Sequence, residues 1–187
     1  VMFGIIWGCA SPLTAIELLW INLVTDSLPA IALGLDPQDK DIMKRAPINP
    51  KQGIFTRRLW AEITLEGLMI GALALFAHSV GLYITNNYTV ARTMAFFVLA
   101  VSQLTHAFNM RSVGSVIKDG LFKNKYLVFS YIVGVGLQLL LIYFKPAADL
   151  FNICRLNAIC LVISVTLATM PFILVEFQKH LNTHFSK

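Results

Sequence analysis

The amino-acid sequence predicts an all-α protein, a polytopic bundle of transmembrane helices with five full spans and the end of a sixth. Three observations carry this expectation. The 187 residues are 57% hydrophobic and only 13% charged, with a mean hydropathy of +0.69, more apolar than a soluble domain of this size. The apolar residues fall in blocks long enough to cross a hydrocarbon core, which takes about 20 helical residues. The basic residues gather in alternate connections between blocks, and so on one side. Helices are required because backbone groups in lipid must pair within their own segment. A strand barrel would show alternating stretches of about ten residues, and the sequence has none.

Taken in order, Val1–Ala10 is apolar but too short to span, and it lacks the basic start of a signal peptide. It is expected to be the last turns of a helix that begins before this chain, which makes the sequence a fragment. After a Ser11–Pro12 turn, one C-terminal membrane domain over residues 11–187 is expected, with spans near 13–35, 59–84, 91–108, 126–144 and 153–177. The fourth block has no charged residue, and the stretch Leu156–Val175 of the fifth has none either. Trp20, Trp60, Tyr83, Tyr126 and Tyr143 lie at or near block ends, as interfacial aromatics do, with packing as the alternative for Trp20. Pro171 is expected to kink the last helix, and Gly134 and Gly136 to permit close helix approach.

Charge sets the orientation. Lys40, Lys44, Arg45, Lys51, Arg57 and Arg58 separate the first two full blocks. Arg111, Lys118, Lys123 and Lys125 separate the third and fourth, and Lys179 and Lys187 lie in the tail. The opposite side holds only Arg92, Lys145 and Arg155. Positive-inside bias places the first set, and the C-terminus, in the cytosol. The net charge of +5 forms no continuous basic stripe, which excludes nucleic acid as the partner and leaves membrane lipid as the surroundings. Cys9, Cys154 and Cys160 form no CxxC or CPC motif and no disulfide framework; they read as buried apolar thiols.

The first full block departs from a plain span. It carries Asn22, Thr25 and Asp26, each costly in lipid; a mid-membrane Asp costs about 2.5–3.5 kcal/mol on insertion scales. Their i, i+3, i+4 spacing puts them on one face of an α-helix. Pro29 follows three residues after Asp26. It donates no hydrogen bond and clashes with the preceding turn, so the helix is expected to break or unwind near Asp26–Pro29 and free carbonyl oxygens. Oxygen side chains beside an unwound backbone at mid-membrane make a site for a hard cation. The competing reading is a polar cluster that joins helices.

These residues resemble a known family. Leu18-Leu19-Trp20-Ile21-Asn22-Leu23-Val24-Thr25-Asp26-Ser27-Leu28-Pro29-Ala30, then Ala32-Leu33-Gly34 and Asp36-Pro37-Gln38-Asp39-Lys40-Asp41-Ile42-Met43, are similar to the sixth membrane helix and following loop of P-type calcium ATPases. The remainder resembles the seventh to tenth helices in number and topology, and Val1–Ala10 the end of the fifth. The resemblance implies an ATP-driven pump with calcium as the transported ion. It implies that Asn22, Thr25 and Asp26 are calcium ligands, with Asp26 the central one. The eighth helix of two-site pumps supplies a Glu; the matching position in Val101–Asn109 is Gln103. A neutral amide there favours one ion per cycle. Ser27 stands where the family commonly has Gly.

The resemblance also implies what lies elsewhere. The family's Asp-Lys-Thr-Gly-Thr phosphorylation motif does not occur, since Asp39-Lys40-Asp41 lacks the Thr and Gly, and there is no phosphate-binding Gly-rich loop. The domains that bind ATP and Mg²⁺ are therefore expected upstream, as partners of this membrane part in the same pump, and the fragment is expected to be inactive alone. The Asp36–Arg58 loop is a candidate coupling element to the phosphorylation domain. Two alternatives stay open: a pump for Mn²⁺, Na⁺, K⁺ or H⁺, and a non-catalytic channel or assembly module. Sodium–potassium pumps usually carry a second Asp where this chain has Asn22. Weaker signals are Glu62 and Glu66, as packing or an ion-entry gate, His78 and His106 as structural histidines, and Glu17 as a lining of an exit or counter-ion path.

Overall fold

A computed structural model describes residues 13–37, 56–112 and 114–185. The expected helix end at Val1–Ala10 and most of the Asp36–Arg58 loop lie outside the described residues. Helix α1 is Ala15–Gly34, α2 Arg57–Thr85, α3 Tyr88–Met110, α4 Val116–Asp119, α5 Lys125–Tyr143, α6 Lys145–Phe151 and α7 Ala158–Phe185. Among the described residues there is no strand, in keeping with the all-α expectation.

Side chains that cap the backbone mark the helix ends. Thr56 accepts from the Leu59 amide at 3.2 Å to start α2. Asn86 ends α2 in the left-handed region at φ 51°, a conformation Asn tolerates. Asn87 then starts α3 by accepting from the amides of Thr89 and Val90. Two adjacent asparagines thus reverse the chain between long helices. Asn124 starts α5 by accepting from Leu127 N, and its amide donates to Ala32 O of α1 at 2.8 Å.

The fifth expected span begins later than residue 153. Residues 153–157 are irregular, after α6 and a left-handed Asn152 at φ 54°. The helix starts only where Asn157 Oδ1 can accept from Cys160 N at 2.8 Å. Pro171 lies inside α7 and is buried; its carbonyl accepts from Asn109 Nδ2 at 3.4 Å.

The long helices alternate in direction. At one end, Trp20 lies edge-on to Phe151 and Cys154 N donates to Thr93 Oγ1. At the other, Asn124 reaches Ala32 and Lys179 Nζ donates to the carbonyls of Asn109 and Ser112. Among the described residues four helices, Ala15–Gly34, Leu59–Thr85, Lys125–Tyr143 and Ala158–Leu181, are long and apolar enough to cross a membrane. The third expected span, α3, is a helix of 23 residues but carries polar side chains on most turns. It packs against α1, α2, α5 and α7, with Met94, Phe96, Val98 and Ala100 fully buried. A helix wrapped by others needs no lipid-compatible surface, which is why its composition is mixed.

Close approach to α3 depends on glycine at two places. A Cβ at Gly81 would lie 2.8 Å from Met94 Sδ and 2.9 Å from Ala91 Cα. A Cβ at Gly134 would lie 2.7 Å from Leu104 Cδ1. Gly134 therefore behaves as expected. Gly136 does not, since nothing lies within 4 Å of its Cβ position; two residues on from Gly134, it lies on the opposite side of α5 and points away from α3. Because backbone blocks Gly81 and only a side-chain tip blocks Gly134, Gly81→Ala should cost about 1–3 kcal/mol and Gly134→Ala less. Gly136→Ala should leave stability unchanged, with all three compared by thermal unfolding in detergent.

Candidate cation site

Helix α1 is not regular along its length. Residues Ile21–Asp26 form a π-helical segment between two α-helical ones, so the expected break or unwinding near Asp26–Pro29 takes the form of a wider, underwound turn in a helix that stays continuous. The π register accommodates Pro29. It falls at the start of the α-segment Ser27–Gly34 that follows, where the wider turn ahead of it makes room for the ring. The Thr25 hydroxyl lies 2.5 Å from Ile21 O one turn back, a local bond that competes with the backbone ladder and bends helices. Single π turns concentrate at functional sites.

The widening changes which side chains share a face. A π turn holds more residues than an α turn, so positions i and i+4 come closer to alignment and i+3 falls away. Asn22 and Asp26 are accordingly both exposed on one flank. Thr25 is 3% exposed and turns towards α3, where its hydroxyl is 2.8 Å from Gln103 Oε1. Asn22, Thr25 and Asp26 thus do not form one face, as α-helical spacing implied; the buried Thr25 meets a half-buried Gln103 behind an Asn22–Asp26 flank. Among the described residues no basic side chain pairs with Asp26. None supplies a cluster of three or more His, Cys, Asp or Glu side chains for a metal. The donors present are carboxylate, amide and hydroxyl oxygens, the set a hard cation takes.

The surrounding polar side chains are engaged in structure. Glu17 is fully buried and does not line a path. Its carboxylate closes a capping box with Thr14, which supplies its hydrogen-bond donors, and its Oε1 forms an ion pair with Arg92 Nε at 3.5 Å without a hydrogen bond. His106 Nε2 meets Glu66 Oε2 at 3.1 Å, joining α2 to α3, and His78 packs edge-on to Tyr88. Cys154 and Cys160 are free thiols. At the far end of α1, Asp36 Oδ1 accepts from Arg111 Nε at 3.1 Å.

One contact beside the site was missed in the sequence. Trp20, on the turn before the π segment, donates from its indole to Gln138 Oε1 on α5 at 3.0 Å, and Gln138 is 1% exposed. The signal was present, as Gln138 is the one amide in an otherwise apolar block, but nothing in the sequence named its partner. Trp20 is packed rather than interfacial.

Comparison with known proteins follows the same residues. A family model described as the C-terminus of cation transporting ATPases matches residues 10–181. A Bacillus cereus protein named calcium-transporting ATPase 1 is 37% identical over 193 residues, covering 94% of this chain and 22% of its own length. A Bacillus subtilis calcium-transporting ATPase is 39% identical, over 81% of this chain and 17% of its own length. The rat calcium-transporting ATPase type 2C member 2 is 33% identical, over 90% of this chain and 18% of its own length. The chain spans about a fifth of the length of these curated relatives. With a family model matched along nearly its whole length, this multi-pass membrane chain belongs to the C-terminal region of the cation-transporting ATPase family.

Proposed function

We propose that this chain is the ion-binding and translocating membrane part of an ATP-driven calcium pump. The observation that carries the reading is Asp26, with Asn22, on an open flank of a π-helical turn next to Pro29, in a chain similar to proteins named calcium-transporting ATPases. Calcium takes six to eight oxygen ligands. Asn22, Thr25 and Asp26 supply part of that set, and further oxygens come from segments outside the described residues. Asp26 provides the charge, Asn22 a neutral oxygen on the same flank, and Thr25 the buried hydroxyl that Gln103 faces.

ATP and Mg²⁺ act in cytosolic domains of the same pump outside this chain, which drive the membrane helices through phosphorylation. The basic segments and the C-terminus face the cytosol of a bacterium, and the membrane is the plasma membrane. Mn²⁺ takes the same class of oxygen donors and is the second ion to test.

In the full-length protein, Asp26→Asn should abolish calcium-activated phosphorylation from ATP, read as incorporated γ-phosphate. Retention of calcium activation in that variant would overturn the reading. Activation by Mn²⁺ but not calcium in the unaltered protein would reassign the ion. With an amide rather than a carboxylate at Gln103, calcium bound per phosphorylated enzyme should be about one; a ratio near two would place a second ion beside Gln103.

A further inference from the structure

Glu17 and Arg92 take no part in the ion set proposed above, yet they form a buried ion pair beside it. Glu17 is fully buried and the Arg92 side chain is 13% exposed. Arg92 also reaches the Asn152 carbonyl, and Glu17 closes the first turn of α1 through Thr14. A carboxylate and a guanidinium taken out of water are a weak source of stability. Their strength lies in register, because neither group tolerates the loss of the other.

A second ion pair has the same form at the other end. Asp36, just past α1, pairs with Arg111, just past α3, and the Arg111 side chain is only 4% exposed. Between the two ion pairs lies the Thr25–Gln103 contact. Glu17, Thr25 and Asp36 meet Arg92, Gln103 and Arg111 in the same order along both helices, so α1 and α3 run parallel and touch at three levels. Sliding one helix past the other by a turn, about 5.4 Å, would break all three.

We infer that Glu17 and Arg92 are a positioning pair: with Asp36 and Arg111 they clamp α1 to α3 in the register that sets Thr25 opposite Gln103. The Asn22–Asp26 flank is then carried on a wall that does not slide against α3. Opening and closing of the site falls to whatever covers that flank. The inference rests on the cation reading for its functional consequence, but the register itself is independent of it.

The test uses the full-length protein with Cys9, Cys154 and Cys160 replaced by Ala. Glu17→Gln combined with Arg92→Met removes both charges and leaves no unpaired ion, so the variant is expected to fold; thermal unfolding in detergent checks this. The calcium concentration for half-maximal phosphorylation should rise on the order of tenfold, the scale at which outer-shell partners change metal affinity, while maximal phosphoenzyme is retained. An unchanged half-maximal concentration, or a fall in the maximum alone, would overturn the positioning role. In a second arm, Thr25→Cys and Gln103→Cys are joined by a short thiol-reactive cross-linker in membranes. Joining should be several-fold slower with the Glu17→Gln and Arg92→Met changes added, and an equal rate would overturn the clamp. Should the unaltered protein show no calcium-dependent phosphorylation, the pump reading fails, and the cross-linking arm still decides the register.

Discussion

Every backbone amide and carbonyl in an apolar slab must find its partner inside the protein, and the candidate site lies where that rule is stretched. Six residues of α1 hold a π register ahead of a proline that cannot donate. The helix stays continuous, so the chain avoids the cost of a true break. The widening turns Thr25 into the bundle and leaves Asn22 and Asp26 together on the open flank. A regular α-helix would spread these side chains differently. The local backbone irregularity therefore sorts three oxygen-bearing side chains into one that is buried and two that are exposed.

The rest of the bundle supports that turn from α3. This helix lies among the others with a core of Met94, Phe96, Phe97 and Val98, and glycines on α2 and α5 bring their backbones close to it. Dense packing of this kind is discrete rather than compliant. Polar contacts concentrate at the two ends of the bundle, where Glu17–Arg92 and Asp36–Arg111 mark opposite limits. The Thr25–Gln103 contact lies between them, with both partners on the protein, as the surroundings demand.

Much of the fold was legible because its signals are local. Long apolar blocks, basic connections and the absence of strand periodicity led to the five long helices, the first four close to their observed bounds and the last running from Ala158 to Phe185 instead of 153–177. The misses have identifiable causes. The last helix starts late because Asn152 and Asn157 impose turn and cap geometry that block-level hydropathy overlooks. Gly136 was grouped with Gly134 although two residues of rotation put them on opposite sides of the helix, one packed and one open. Of the break or unwinding expected near Asp26–Pro29, the unwinding is what occurs, as a π register over Ile21–Asp26, and it begins earlier than expected because the wider turn precedes the proline.

The sequence by itself determined the class of protein, the order and direction of its helices, and the presence of an acidic side chain beside a proline in an apolar span. Those properties follow from composition and short-range chemistry, which each segment carries wherever it is placed. Only the tertiary structure decided that Thr25 turns inward to Gln103, that Glu17 is held by Arg92, and that Trp20 is tied to Gln138. Such pairings depend on rotation and register between helices far apart in the chain. One residue of rotation changes the partner, and no local pattern encodes it.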